Sequence, residues 1–247
     1  MPLRIGFDLD GTLADFASAF QEVELRLFGA SQISAGEPER EEKEEEVTPD
    51  PNAGEHRRAL VWAAIRSTPD FWTGLRAIDA GAVARINALA LHHKWDVFFI
   101  TQRPDTVGET VQRQTQHWLI AQGYDMPSVL VIGGSRGAAA NALRLDYHVD
   151  DSARNCMDVK AESRARPILL VADDLRQTIR QARGMRIGTA ATIADALDIL
   201  ESATNARAQP KVLERIASLV GWANGSPATH TDNLEHLDGA NPCSRLP

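Results

Sequence analysis

Six short apolar runs, separated by stretches with helical periodicity, constrain this chain more than any other feature. They are LRIGFDL (3 to 9), WDVFFI (95 to 100), SVLVI (128 to 132), YHVD (147 to 150), PILLV (167 to 171) and MRI (185 to 187). Short apolar runs alternating with helical segments predict an α/β fold, a parallel sheet with helices packed on both faces. Between the second and third runs, Thr106 and Glu109 have capping-box spacing, Val107, Val111, Trp118 and Leu119 share a helical face, and Gly123 supplies a stop. One crossover helix fills that connection.

The connection from the first run to the second is far longer. It covers residues 14 to 94, where a single crossover needs only about a dozen. Phe16, Phe20, Val23 and Leu27 recur at helical spacing up to Gly29, RRALVWAAI follows at 57 to 65, and a third helical stretch runs from Asp79 to Leu91. The pattern predicts a helical cap over residues 14–76, inserted after the first strand of a three-layer core formed by 1–13 and 77–200. Residues 30–55 are rich in Glu, Pro, Gly and Ser, a composition that favours a mobile loop. In the tail, 201–247, KVLERIASLVGW (211 to 222) fits one amphipathic helix and 223–247 is polar and aperiodic.

Charge narrows the partners. The net charge is -8, but EPEREEKEEE at 37 to 46 holds seven Glu against one Arg and one Lys, so the remainder is only mildly acidic. A surface that coats a nucleic-acid polymer needs clustered Lys and Arg, which this chain lacks, so a small substrate with locally met negative charge is expected instead. No run of about 18 apolar residues is present and no basic segment precedes an apolar one at the start, which reads as a cytoplasmic chain without a membrane partner. Two cysteines, Cys156 and Cys243, make no framework of bridges and are read as reduced thiols. The sequence assigns no oligomeric state.

The first apolar run ends in two acids, Asp8 and Asp10, with Leu9 between them. Side chains alternate along a strand, so both carboxylates would face one site beyond the strand's end, where open parallel sheets bind ligands. Carboxylates crowded in a partly dry site raise one another's proton affinity unless a cation offsets them. Gly11 then turns the chain and Thr12 can donate to one of the acids. Two other strand ends bring matching chemistry: FFI ends in Thr101, followed by Gln102 and Arg103, and YHV ends in Asp150 and Asp151. A set made of carboxylate, carbonyl and water oxygens suits Mg²⁺ better than zinc.

The order DLDGT (8 to 12), a strand ending in Thr101, a cation, and DD (150 to 151) resembles the haloacid dehalogenase (HAD) superfamily of phosphohydrolases over residues 3 to 200. FWTGL (71 to 75), ITQRP (100 to 104), QTQHWL (114 to 119) and VDDSARN (149 to 155) are similar to the cytosolic type-C 5'(3')-deoxyribonucleotidase group and its bacterial relatives. The resemblance implies a Rossmann-like core and makes Asp8 the nucleophile that forms an aspartyl-phosphate, with Asp10 the general acid and base. It further implies Mg²⁺ held by Asp8, the backbone carbonyl of Asp10 and Asp151, with Asp150 acting through water or orienting the ion. Thr101 and the Gly11 N–H would bind phosphoryl oxygens.

One element departs from the family pattern. Where a lysine normally precedes the acidic pair, the stretch GGSRGAAANALRLDYHVDD places Arg136, which keeps the charge but replaces a compact ammonium by a planar fork. Arg144, inside the expected helix before YHVD, is a second candidate. Trp72, with Phe71 and Trp62, either stacks on a nucleobase or belongs to the core, and Arg103 either binds a second substrate anion or forms a surface ion pair. Gly133, Gly134 and Gly137 read as a flexible turn. The function expected is a Mg²⁺-dependent phosphomonoester hydrolase, with nucleoside monophosphates leading among small phosphorylated substrates. The alternative is a catalytically weak or inactive module that binds phosphate ligands or protein.

Overall fold

A computed structural model describes residues 2–29 and 53–207. The acidic run at 37 to 46, the 211 to 222 segment and Cys243 lie outside them. The elements run β1 (Arg4–Phe7), α1 (Phe16–Phe28), α2 (Ala53–Ser67), a 3-10 turn (Phe71–Gly74), α3 (Ala82–His93), β2 (Asp96–Thr101), α4 (Val111–Ala121) and β3 (Val129–Val131). The second half follows as α5 (Arg136–Ala142), β4 (Tyr147–Asp150), α6 (Ala153–Glu162), β5 (Arg166–Leu170), α7 (Arg176–Gly184), β6 (Gly188–Ala190) and α8 (Ile193–Arg207). Six parallel strands form one Rossmann-like sheet in the order β3-β2-β1-β4-β5-β6.

Both sheet faces are dry because helices cover each of them. Ile5, Phe7 and Leu9 point into a core shared with Val83 and Ile86 of α3, Trp118 and Leu119 of α4, and Leu197 and Leu200 of α8. The opposite face meets α5 and α6 through Ile100, Ala140 and Val159. Gly6 must be small on that face, since a Cβ there would stand 2.7 Å from the His148 ring. Gly137 lies inside α5 instead of in a flexible turn, and its bare Cα lets the helix close on α6, where an added Cβ would sit 2.2 Å from the Asp158 carbonyl.

Three further expectations are corrected. The helix after β2 starts at Thr110, whose hydroxyl accepts the Arg113 N–H; Thr106 instead bonds the Gln114 amide, so no capping box forms and Val107 is exposed. The last strand lies at Gly188–Ala190 and not at MRI, because Arg186 takes a left-handed conformation (φ 59) while closing the end of α7. The strand carrying the acids stops at Phe7, yet Leu9 keeps the alternation and is fully buried.

The chain leaves the sheet edge beside the place where it returns. Ala14 pairs antiparallel with Ala77, the Asp15 N–H donates to the Arg76 carbonyl at 2.9 Å, and the Ile78 N–H donates to Leu13 at 2.9 Å. Between these points, α1 begins at its Asp15 cap and packs on α2 through Phe16, Phe20 and Trp62. The 3-10 turn is clamped to α4: the buried Gln114 accepts the Trp72 N–H, and the Trp118 indole donates to the Leu75 carbonyl at 2.7 Å.

Candidate active site

The sheet order reverses direction at β1, with β4 entering on its free side, and ligands of open α/β sheets bind at such a crevice. Asp8 follows β1, Asp150 ends β4 and Asp151 comes next. The Asp8 N–H donates to the Val149 carbonyl at 2.9 Å, which locks the two strand ends together. One carboxylate oxygen from each of Asp8, Asp150 and Asp151 lies within 4.8 Å of the others. Gly11 makes that approach possible, for it adopts φ 90 and a Cβ would fall 2.1 Å from the Asp151 carboxylate.

Crowding sets the electrostatics. Burial, together with the charge of Asp150, holds the Asp8 carboxyl well above the usual carboxylate range, and Arg136 opposes that shift. Asp151, at the open side, is pushed up to about 6 by desolvation and by Asp150. The site therefore calls for added positive charge. Asp150 is already saturated: it accepts the Ser152 N–H at 2.8 Å, the Asn155 amide on both oxygens at 3.1 Å, and faces His148 Nε2 at 3.0 Å. Asp8 and Asp151 are less engaged: Asp8 accepts one side-chain hydrogen bond, from Arg136 at 2.8 Å, and Asp151 a long contact of 3.4 Å from the Thr12 hydroxyl. An all-oxygen set with excess proton affinity fits a hard divalent cation, with Asp8 and Asp151 as ligands and Asp150 as their support.

Each catalytic-candidate acid has its own arginine. Arg136, at the start of α5, is 5% exposed and donates from Nη2 to Asp8 at 2.8 Å. Its Nε and Nη1 make no hydrogen bond within the protein, although Nε lies 3.9 Å from an Asp150 oxygen as a longer ion pair. Arg103, in the loop after β2, is buried and is not a surface ion pair: Nε and Nη2 grip both oxygens of Asp10 at 2.7–3.1 Å, and Nη1 donates to Thr115 at 3.0 Å. Its guanidinium carbon lies 4.8 Å from the centre of the Trp72 ring.

Several residues expected at the site are already engaged within the protein or lie away from the acids. The Gly11 N–H is given to the Ala14 carbonyl at 2.9 Å by the tight turn, and the buried Thr101 hydroxyl reaches Asp10 at 3.3 Å. Trp72 is 1% exposed, with its ring against Phe16, Phe71 and Arg103 and its indole N–H on the Pro104 carbonyl, so it is core and offers no platform to a base. Arg144 lies outside any helix (φ 50), just ahead of β4 at the opposite sheet edge, and cannot reach the acids. His148 and Asn155 went unassigned in the sequence. A histidine and an asparagine flanking DD at strand and helix spacing were the available signal.

One cavity adjoins the acids and a second lies beside it. The first, about 280 Å³, is lined by Asp8, Asp10, Asp151, Arg136 and Trp62 among others. It shares Trp62, Gln102, Arg103 and Pro104 with a groove of about 800 Å³ that continues to Arg66, Val131 and Ile132. Another cavity, about 820 Å³, lies at the far sheet edge among Arg144, Arg164, Arg166 and Arg207. Arg144, Arg164 and Arg207 sit at or just beyond the C-terminal ends of α5, α6 and α8, where helix dipoles favour cations, and Arg166 opens β5.

No family model matches the chain, and no curated protein matches it. Among solved structures it is similar to a HAD hydrolase of family IA, variant 3, from Entamoeba histolytica, at 15% identity and TM-score 0.44 over 78% of this chain and 94% of that one. It is also similar to a β-phosphoglucomutase-type protein from Thermotoga maritima (14%, TM-score 0.47, covering 81% and 98%). A haloacid dehalogenase-like family hydrolase from Xanthomonas campestris is a third (17%, TM-score 0.39, covering 89% and 98%). These likenesses are distant. The chemistry of this chain rests on its own side chains. Among the described residues no helix is long and apolar enough to cross a membrane.

Proposed function

We propose that the protein is a phosphomonoester hydrolase of the HAD type, working through Asp8. The observation that carries this reading is a buried carboxylate beside Asp150 and Asp151, bonded to an arginine with two unmet donors, with a second acid two residues on. Asp8 attacks phosphorus while the bond from phosphorus to the ester oxygen breaks. The departing oxygen keeps the bonding electrons and takes a proton from the Asp10 carboxyl. In the second half, the Asp10 carboxylate takes a proton from water as that water attacks phosphorus, and the bond to Asp8 breaks. Phosphate leaves and both acids return to their starting forms.

The Arg136 donors without a hydrogen bond support a role in gripping the phosphoryl oxygens, where a fixed cation gains strength from the burial of the Asp8–Arg136 pair. Mg²⁺, held by Asp8, Asp151 and the Asp10 carbonyl, would supply further charge neutralisation at the phosphoryl group. Nucleoside monophosphates are the leading substrate class. The groove beside the acids' cavity, which shares Trp62 with it and reaches Arg66, offers one partly exposed ring and a cation at a suitable scale for a leaving nucleoside.

A second reading rests on Arg136 itself, which stands where the resemblance implies lysine and spends a donor on the nucleophile. On that reading the chain binds phosphate ligands without turnover. Phosphate release from nucleoside monophosphates, sugar phosphates and p-nitrophenyl phosphate, with Mg²⁺ and with EDTA, separates the two. Mg²⁺-dependent release abolished by Asp8→Asn is the expected result. Silence across the panel, or turnover undiminished in Asp8→Asn, overturns the hydrolase.

A further inference from the structure

We infer that Arg103 is a positioning residue for Asp10, fixing the direction in which that carboxyl presents itself to the leaving oxygen. The inference rests on the hydrolase reading and extends it to a residue that has no direct contact with the phosphoryl group in that scheme. Three observations carry it.

First, Arg103 is spent. All three guanidinium nitrogens are hydrogen-bonded within the protein, two of them to Asp10, and the side chain has no exposed surface. Arg136 is the contrast, with two donors left over. A guanidinium that satisfies its donors internally orients its partner instead of capturing a ligand.

Second, the guanidinium plane is itself held. Thr115, projecting from α4 and fully buried, takes Nη1, and the Trp72 ring covers the face. Trp72 is fixed in turn by Gln114 of the same helix and by the Pro104 carbonyl. A rigid helix and a buried ring thus set the plane of the fork, and the bidentate grip transmits that plane to Asp10.

Third, Asp10 needs such a device. It lies beyond the end of β1 in a turn, its side chain is 24% exposed, and apart from Arg103 its carboxylate receives only the Thr101 hydroxyl at 3.3 Å. Ungripped, it would rotate among solvent-facing rotamers, and misplacement by about 1 Å costs on the order of 10²-fold in rate.

Leaving-group dependence tests the assignment. p-Nitrophenolate departs without a proton, whereas an alkoxide does not, and kcat/KM reports only steps through ester cleavage. In Arg103→Met, kcat/KM for a simple alkyl phosphate should fall ~10²-fold while that for p-nitrophenyl phosphate falls less than ~5-fold. Thr115→Val leaves Arg103 in place and removes one anchor, and should move the same ratio in the same direction by a smaller factor. It also serves if Arg103→Met fails to fold. Arg103→Lys, which keeps charge without the fork, should not restore the ratio. Equal losses on both esters, or no loss in an active and folded variant, overturn the positioning role alone. Wild-type protein that turns over neither ester overturns the hydrolase reading, and this inference with it.

Discussion

Two Asp–Arg pairs stand in one site and differ in almost every physical respect. Asp8 and Arg136 are both about 6% exposed in their side chains and share one hydrogen bond, leaving two buried donors of the arginine unmet. Asp10 and Arg103 share a three-contact grip, with the acid partly open to solvent and the arginine fully spent. Unmet buried donors cost desolvation energy, so of the two arginines Arg136, whose Nε has only the 3.9 Å ion pair with Asp150, is the one with hydrogen-bonding capacity left. The second pair is complete already. On the proposed reading, one arginine receives the phosphoryl group and the other sets the geometry of an acid.

The sharpest way to break that contrast is at the acids. Asp8→Asn should lower phosphate release by at least ~10³-fold, since it replaces the anionic nucleophile by a neutral amide, and Asp10→Asn by ~10²-fold or more, since it removes only proton transfer. Initial rates on an alkyl phosphate measure both. A milder loss for Asp8 than for Asp10 would reverse their roles.

Stability comes next. Trp72→Ala should cost ~3–5 kcal/mol in denaturant unfolding, because a buried ring between Phe16, Phe71 and Arg103 leaves a cavity. The half-buried Trp62, which lines the acids' cavity and the groove beside it, should cost less and raise KM for nucleoside monophosphates more than for methyl phosphate. Equal destabilisation by the two would mean that both rings are purely core.

Arg136→Lys should leave folding intact and change kcat by no more than ~10-fold, because the charge beside Asp8 is kept while the second pair of donors is lost. A collapse of activity would show that the fork, and not the charge, grips the phosphoryl group.

The smallest expected effect is thermal. A carboxyl whose folded proton affinity is raised binds its proton more tightly in the native state, so its stabilising contribution is present at low pH and is lost as pH rises. For Asp151 that loss should fall between the ordinary carboxylate range and about 6. Mg²⁺ should therefore raise Tm more at pH 7.5 than at pH 5, where protons compete for the same oxygens. A shift that is equal at both pH values would argue against ion binding at these acids.

The two pairs were unequally legible. Asp8, Asp10, Asp150 and Asp151 were readable because strand periodicity and sheet topology place residues at strand ends without reference to rotamers. Arg136 was readable only through the resemblance, which implies a cation ahead of the acidic pair, and its burial was not legible. Arg103 and Trp72 were ambiguous, since whether a side chain after a strand turns outward or inward depends on what α4 and the 3-10 turn bring against it. The inserted helices could be counted from their periodicity, whereas the fit of the Phe16, Trp62 and Trp72 rings could not.

What the sequence by itself determined is the class of fold and the acids at or just beyond the ends of its first and fourth strands, because local periodicity and chain connectivity suffice for these. Tertiary structure decided which arginine meets which acid, that Asp150 is saturated by His148, Ser152 and Asn155, and that the Gly11 N–H is used within its own turn. Those outcomes depend on side chains from elements as far apart as β1, α4 and α5, and only packing brings their charges within hydrogen-bond reach.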